Sequence, residues 1–332
     1  MIISKTPFRI SLFGGGSDFP VYYRNNKSVV LGFAFNRYNY ILFRTKFLNN
    51  SPYKYHINYS LNEKSNLIEK IKHRSVRETL KYFKFKESFE IHYNGELPAR
   101  TGLGTSSAFT VGLCNILNFI KQKKIEPLDL AKQAIDIEQN KIKEFVGSQD
   151  QVLTSLGGFN KISFFKNKIK VKNFNLNINA IKEIEESSLL LFTGQVRTAE
   201  KIEKNKFQKL DGRKIRLLDD LVTIAETANK IILTKNFKLK EIGELLDESW
   251  SLKKSIHKSV STEKIDEIYQ YSKEVGAYGG KILGAGGGGY LYLICPKNKK
   301  SILKKKLNQF QSIDIKVSES GSEIISSTSD YS

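Results

Sequence analysis

Three glycine-rich segments and two acidic side chains hold the residue types in this chain that are suited to chemistry. The first segment reads Pro7-Phe8-Arg9-Ile10-Ser11-Leu12-Phe13-Gly14-Gly15-Gly16-Ser17-Asp18. A strand carrying an arginine runs there into a glycine turn that ends in an aspartate. A guanidinium can neutralise phosphoryl charge, and a carboxylate can accept two hydroxyls of a polyol. A β-turn with surface charges is the plainer alternative. The second segment, Leu97-Pro98-Ala99-Arg100-Thr101-Gly102-Leu103-Gly104-Thr105-Ser106-Ser107-Ala108, leads into an apolar helix. Glycines let a backbone approach a ligand closely. The free N–H groups of a helix start suit phosphate, and the hydroxyls can donate to it or ligate Mg²⁺. An ordinary Ser/Thr cap would not need both glycines. The third segment, Gly284–Gly289, formally matches GxGxxG, but a strand follows it where a dinucleotide site needs a helix. Gly279-Gly280-Lys281 ends in Ile282 and has Val275 in place of the leading glycine, so it is no phosphate-binding GxxxxGK[ST] loop.

The acids are Glu138 and Asp150. Glu138 lies three residues after Ile135 and four before Ile142, which puts it on the apolar stripe of the helix that Pro127 opens. A carboxylate there is costly unless it is paired or binds a cation, or unless it reaches solvent from the stripe's edge. Asp150 follows twelve residues later, in Gly147-Ser148-Gln149-Asp150-Gln151. An Asp in such a stretch often serves only the turn. Two carboxylates beside a phosphate loop are also the layout of phosphoryl transfer, one for a metal and one for the acceptor hydroxyl.

Composition narrows the field. The 332 residues are 40% apolar and 27% charged, which excludes wholesale disorder and a membrane bundle. No apolar run approaches the length of a spanning helix, and the N-terminus lacks the pattern of an export signal, so the cytoplasm is the expected location. Cys114 and Cys295 sit apart in apolar runs, which argues against disulfides and thiolate metal sites. The four histidines form no ligand pattern. The net charge of +20 attracts polyanions, yet the basic stretch from Lys297 to Lys306 has no interleaved aromatics to stack bases. Neither nucleic acid nor membrane is therefore an expected partner. Trp250, the single tryptophan, reads as packing.

Strands and helices mix in both halves, which gives an α+β fold of two domains, assigned as 1–175 and 176–332. The first hundred residues look strand-rich. Helices are expected over Asn66–Phe83, Ala108–Ile120 and from Pro127. Long charged helices follow over Arg213–Thr234 and Leu239–Ser259, and a shorter one over Ile265–Val275. Ile313–Val317 reads as the last strand, and the Ser-rich tail after Glu319 is expected to fray.

Taken in order, the three glycine segments resemble those of the GHMP kinases, the family named for galacto-, homoserine, mevalonate and phosphomevalonate kinases. The resemblance spans nearly the whole chain. It implies an S5-like N-terminal domain, a ferredoxin-like C-terminal domain, and an active site in the cleft between them that uses ATP and Mg²⁺. Asp150 then falls at the catalytic aspartate, and Arg9 at a basic residue near the transferring phosphoryl. Gly102, Leu103, Gly104, Thr105, Ser106 and Ser107 become the ATP-phosphate loop. Glu138 becomes a Mg²⁺ ligand together with Ser106, with Ser107 as the neighbouring alternative.

Gly14-Gly15-Gly16-Ser17-Asp18 resembles the GGG[ST]D start of the branch acting on D-glycero-D-manno-heptose 7-phosphate. Thr193-Gly194-Gln195-Val196-Arg197-Thr198-Ala199 and Gly279–Gly286 also look like that branch. The substrate contacts this implies are Gly15, Gly16, Ser17, Asp18, Arg197, Lys281, Gly286 and Gly287. Arg197, Lys253, Lys254 and Lys281 are candidates for a distal phosphate, or else surface charges. The expected partner is a phosphorylated sugar, phosphorylated at its anomeric hydroxyl, and a homodimer is left open. The alternatives are a kinase of the same family for fucose or unphosphorylated heptose, and a basic nucleic-acid binder built on an S5-like domain.

Overall fold

The computed structural model describes residues 1–45, 52–196, 203–204, 206–234 and 237–327. Its first half runs β1 (Ile2–Phe13), α1 (Pro20–Tyr23), β2 (Ser28–Thr45), β3 (Tyr55–Asn58), β4 (Asn62–Ser65), α2 (Arg74–Phe83) and β5 (Phe89–Gly95). Then come α3 (Thr105–Ile120), α4 (Pro127–Asp136), α5 (Gln149–Leu156), β6 (Phe159–Phe165) and β7 (Lys168–Asn173). The second half runs α6 (Ile178–Ser187), β8 (Ser188–Phe192), α7 (Gly212–Ile232), α8 (Leu239–Ile256), α9 (Glu263–Val275), β9 (Gly279–Ile282), β10 (Tyr290–Ile294), α10 (Lys297–Lys306), β11 (Ser312–Ile313) and β12 (Glu323–Ser327).

β1 and β2, rich in β-branched and aromatic residues, pair along most of their length. β2 then forks, with its first half on β6 and its second on β5. The second sheet is antiparallel in the order β11-β8-β10-β9. With helices between β8 and β9 and between β10 and β11, this is the βαββαβ arrangement of ferredoxin-like domains, so the α+β architecture implied by the resemblance is present. A shared core locks the two units together. Phe8 and Ile10 of β1 belong to one buried cluster with Leu190 of β8, Tyr290 and Tyr292 of β10, and Ile224 of α7. Each such side chain stabilises the fold by about 1.5–3 kcal/mol, so the walls of the cleft between the sheets are fixed by packing. Trp250 is buried, beside Tyr269 of α9.

The structure departs from the sequence reading in several places. The helix expected over Asn66–Phe83 begins only at Arg74, after β4 and a 3₁₀ turn at Ile68–Lys70. The tail is ordered as far as Ser327: β12 pairs antiparallel with β1, and the Ser322 hydroxyl bonds Thr6 and Asn115; residues 328–332 lie outside the described residues. Ile324 packs on the core there, which repays ordering an otherwise polar segment. Of Ile313–Val317 only Ile313 lies in a strand, the two-residue β11, with Val317 bridging singly to Phe35. Asp150 stands in the first turn of α5 rather than in a loop.

Candidate active site

A cavity of about 620 Å³ opens between the two units, and most of the residues singled out in the sequence face it. Its centre is an ion pair. Arg9, on β1 and almost fully buried, donates from Nε to Asp150 Oδ1 at 2.7 Å and from Nη2 to Oδ2 at 2.6 Å. Its third nitrogen, Nη1, donates to the Gly102 carbonyl at 2.6 Å. A bidentate guanidinium fixes a carboxylate's orientation as well as its position. This one guanidinium therefore joins the acid to the phosphate loop.

The loop is shaped for an anion. Gly104, at φ +75°, is the N-cap of α3 and offers no side-chain cap. The first N–H groups of this 16-residue helix are thus left for a ligand. Thr105, Ser106 and Ser107 line the cavity beside them. Leu103 does not: its side chain is in the core and its carbonyl accepts the Arg9 N–H. The third glycine segment braces this loop. A Cβ on Gly102 would come within 2.3 Å of the Leu283 carbonyl, and one on Gly289 within 2.3 Å of Thr101's. The Tyr290 N–H bonds the Thr101 carbonyl at 3.1 Å. The two backbones touch because no side chain stands between them.

Glu138 is buried, as its place on the apolar stripe requires. The helix widens there into a π-turn over Ile137–Lys141, a local feature frequent at functional sites. Glu138 Oε2 accepts from Ser107 Oγ at 3.0 Å and from Gln151 Nε2 at 2.5 Å. Oε1 is buried and, among the described residues, has no hydrogen-bond partner. Burial pushes the carboxyl up to about 7. An orphaned carboxylate oxygen beside a serine hydroxyl is an all-oxygen donor set, which fits a hard cation that takes its other ligands from water and phosphate. Ser107 contacts Glu138, while Ser106 is exposed at the cavity wall.

Asp18 is buried too. Its Oδ1 accepts from the Gly16 N–H at 2.9 Å and from Gln149 Nε2 at 3.0 Å, and its Oδ2 from the Gln149 N–H at 3.2 Å. Burial raises it above the usual carboxylate range against the pull of the Gly16 N–H, and the charge of Asp150 raises it further. Three consecutive residues at the start of α5 thus tie the acids together: Gln149 holds Asp18, Gln151 holds Glu138, and Asp150 between them is itself the third acid, held by Arg9. Neither glutamine was singled out from the sequence, where an amide carries no signal of its partner. Gly147 leaves the room for Asp18, since a Cβ there would lie 2.0 Å from Oδ2. Gly147→Ala is expected to destabilise the protein by about 1–3 kcal/mol, the usual cost of overpacking, and to displace Asp18. A thermal melt beside the acceptor KM measures both, and an unchanged KM would mean that Asp18 does not face the acceptor.

Other residues singled out from the sequence fall elsewhere. Ser17 serves the turn, its hydroxyl donating to the Gly14 carbonyl at 2.7 Å and meeting Ser28 at 2.7 Å. Gly286 and Gly287 seat their loop on Val260, where the Gly287 N–H bonds the carbonyl at 2.8 Å. Lys254 pairs with Asp266 at 3.0 Å. Arg197 lies outside the described residues. Gly15, Gly16, Lys253 and Lys281 do line the cavity. So does Lys206, fully buried and unnoticed in a lysine-rich sequence. The far end of the cavity is aromatic: His73 lies between Tyr59 (4.8 Å between ring centres) and Phe109 (4.7 Å). Its Nδ1 accepts the Val76 N–H at 3.3 Å, capping α2, and burial holds it below its usual range. Scattered through the sequence, these rings gave no motif.

Similarity to known proteins agrees with this geometry. The family model described as GHMP kinases N terminal domain matches residues 66–158, and the one described as GHMP kinases C terminal matches 231–312. Together they cover more than half of the chain. The D-glycero-alpha-D-manno-heptose 7-phosphate kinase of Campylobacter jejuni is 29% identical over 328 residues, covering 93% of this chain and 94% of that protein. The bifunctional fucokinase/GDP-fucose pyrophosphorylase of Arabidopsis thaliana is 27% identical over 67% of this chain but only 21% of its own length. In fold, the chain is similar to the crystal structure of a D-glycero-D-manno-heptose 1-phosphate kinase from Bacteroides thetaiotaomicron, with a TM-score of 0.80 over 99% of this chain and 100% of that one, at 20% identity. The chain belongs to the GHMP kinase family and is a small-molecule kinase.

Proposed function

We propose that the chain transfers the γ-phosphoryl group of ATP to the anomeric hydroxyl of D-glycero-D-manno-heptose 7-phosphate, in the cytoplasm. The observation that carries this reading is the Arg9 bridge, which sets Asp150 one guanidinium away from the phosphate loop. The similarity to the Campylobacter protein along more than nine-tenths of each chain supports the choice of sugar. No helix among the described residues is long and apolar enough to cross a membrane.

In this reading the N–H groups at the start of α3 hold the ATP phosphates, and the aromatic end around His73 takes the base. Glu138 and the Ser107 or Ser106 hydroxyl would hold Mg²⁺, which when bound neutralises charge on the donor phosphates. Asp150 takes the proton from the acceptor hydroxyl as its oxygen bonds to the γ-phosphorus and the bond to ADP breaks. Arg9 offsets charge on the moving phosphoryl group and orients Asp150. Gly15, Gly16 and Asp18 face the sugar.

The similarity to the Arabidopsis fucokinase keeps a second reading, in which the acceptor is an unphosphorylated sugar. ADP release with MgATP separates the two, with the heptose 7-phosphate, free heptose, fucose, galactose and mevalonate as acceptors. Turnover is expected on the heptose 7-phosphate at least tenfold above the others. Preference for fucose or free heptose would replace the acceptor. No turnover on any sugar, with oligonucleotide binding that weakens steeply with salt, would favour a polyanion-binding role instead.

A further inference from the structure

Three ammonium groups converge on the cavity wall supplied by the second unit. Lys206 Nζ donates to the Ala285 carbonyl at 2.7 Å, and Lys253 Nζ to the carbonyl of the preceding residue, Gly284, at 2.9 Å. Lys281 Nζ, from β9, donates to the Leu12 carbonyl at 2.8 Å. All three side chains are at most 5% exposed. Each ammonium carries three N–H donors, so donors remain on each after these bonds. Lys206 also pairs with Glu203 at 2.8 Å. Among the described residues, neither Lys253 nor Lys281 pairs with a carboxylate.

Buried cations without counter-charges are costly. Of the acids at this corner, Asp150 is paired with Arg9 and Glu203 with Lys206, while Asp18 is held by the neutral Gly16 and Gln149 groups and leaves one carboxylate charge near the two unpaired lysines. Burial first, then the charge of Lys206, lowers Lys253 to about 8, and burial and Lys253 lower Lys281 well below the usual lysine range. The corner is short of negative charge. A phosphate monoester brings about two charges and three acceptor oxygens, one for each of the three ammoniums, where a planar carboxylate offers only two oxygens. The donor phosphates already have the start of α3 and Arg9 on the first unit's side.

We propose that Lys206, Lys253 and Lys281 bind a phosphate group already present on the acceptor and so set the preference for phosphorylated over neutral sugars. This rests on the kinase reading and adds its substrate-recognition residues, Lys206 among them.

The first test is calorimetric titration of the full chain, saturated with Mg²⁺ and a non-hydrolysable ATP analogue, with mannose 6-phosphate as a generic probe. Wild type is compared with Lys253→Gln and Lys206→Gln, and with Lys253→Arg, which keeps the charge. Hydrogen bonds to charged groups imply a loss of about 10- to 100-fold in affinity for each Gln variant, and a smaller loss for the Arg variant. Circular dichroism and melting curves check that each variant is folded. Equal affinity in wild type and both Gln variants, or no binding of the phosphate by wild type, would overturn the proposal.

The second test compares kcat/KM on heptose 7-phosphate and free heptose. Each Gln variant is expected to lose at least tenfold more on the phosphorylated sugar than on the free one, and equal losses on both would count against the triad. Should heptose 7-phosphate not be turned over while the mannose 6-phosphate losses appear, the heptose assignment fails and the triad stands.

Discussion

Asp150→Asn is expected to lower kcat by about 10³-fold, within the range measured for loss of a positioned general base, while ATP affinity changes by less than about threefold. The asparagine is nearly isosteric but cannot take the hydroxyl proton. It also turns an NH₂ toward one Arg9 donor, so one of the two short bonds to the guanidinium is lost. Arg9 keeps its bond to the Gly102 carbonyl, which leaves the phosphate loop in place and preserves ATP binding. Because Arg9 and Asp150 act as one unit, Arg9→Met and the double variant should fall short of additivity, with the double variant little worse than Asp150→Asn alone. Steady-state kinetics with a nucleotide-binding measurement checks both statements. Wild-type turnover in Asp150→Asn would remove Asp150 from the base role.

Glu138→Gln is expected to have opposite effects on activity and stability. Activity should fall by about 10²- to 10³-fold, because the proposed site loses its only carboxylate and a neutral amide is a poor ligand for a hard cation. The metal-free protein should become more stable. The unfolded carboxyl titrates near 4.5 and the folded one near 7. Between those values the folded protein keeps a proton that the unfolded chain has released, so this group's contribution falls as pH rises through the window and is flat above it. Glutamine does not titrate. Its advantage over wild type should be small below pH 4.5, grow toward pH 7, and level off above it at roughly 3–3.5 kcal/mol. Denaturant melts in chelator at pH 4.5, 6 and 7.5 test this. A stability difference that does not change with pH would contradict the buried, proton-holding carboxyl. Activity above a tenth of wild type would contradict its role in the metal site.

The sequence disclosed some of these residues and hid others for physical reasons. Glu138 was legible because a carboxylate on an apolar stripe breaks the helical pattern, although the π-turn that aims it inward has no residue signature. Arg9, Asp18 and the Gly102–Ser107 loop were legible because glycine beside charged or hydroxyl residues marks a backbone built to approach a ligand. Asp150 was legible as an acid but not as a helical residue, since α5 has only eight residues and follows a turn. Gln149 and Gln151 were silent because their role is set by partners far along the chain. Lys206 was silent because the chain carries 54 basic residues, and its burial follows from tertiary packing alone. The C-terminal strand was missed because Ser-rich composition argues for fraying, whereas pairing with β1 and the packing of the half-buried Ile324 on the core decide otherwise. Gly286 and Gly287, glycines suited to a ligand, permit close backbone packing on Val260.

The proposed reaction is tested most directly by the phosphorus NMR spectrum of the wild-type protein incubated with MgATP and D-glycero-D-manno-heptose 7-phosphate. The expected result is a new sugar-phosphate resonance coupled to the anomeric proton, growing in step with ADP while the 7-phosphate signal persists, and absent with Asp150→Asn. A new resonance coupled to another ring proton would move the site of transfer. ATP breakdown to ADP and inorganic phosphate alone, with no sugar bisphosphate, would contradict transfer to this sugar.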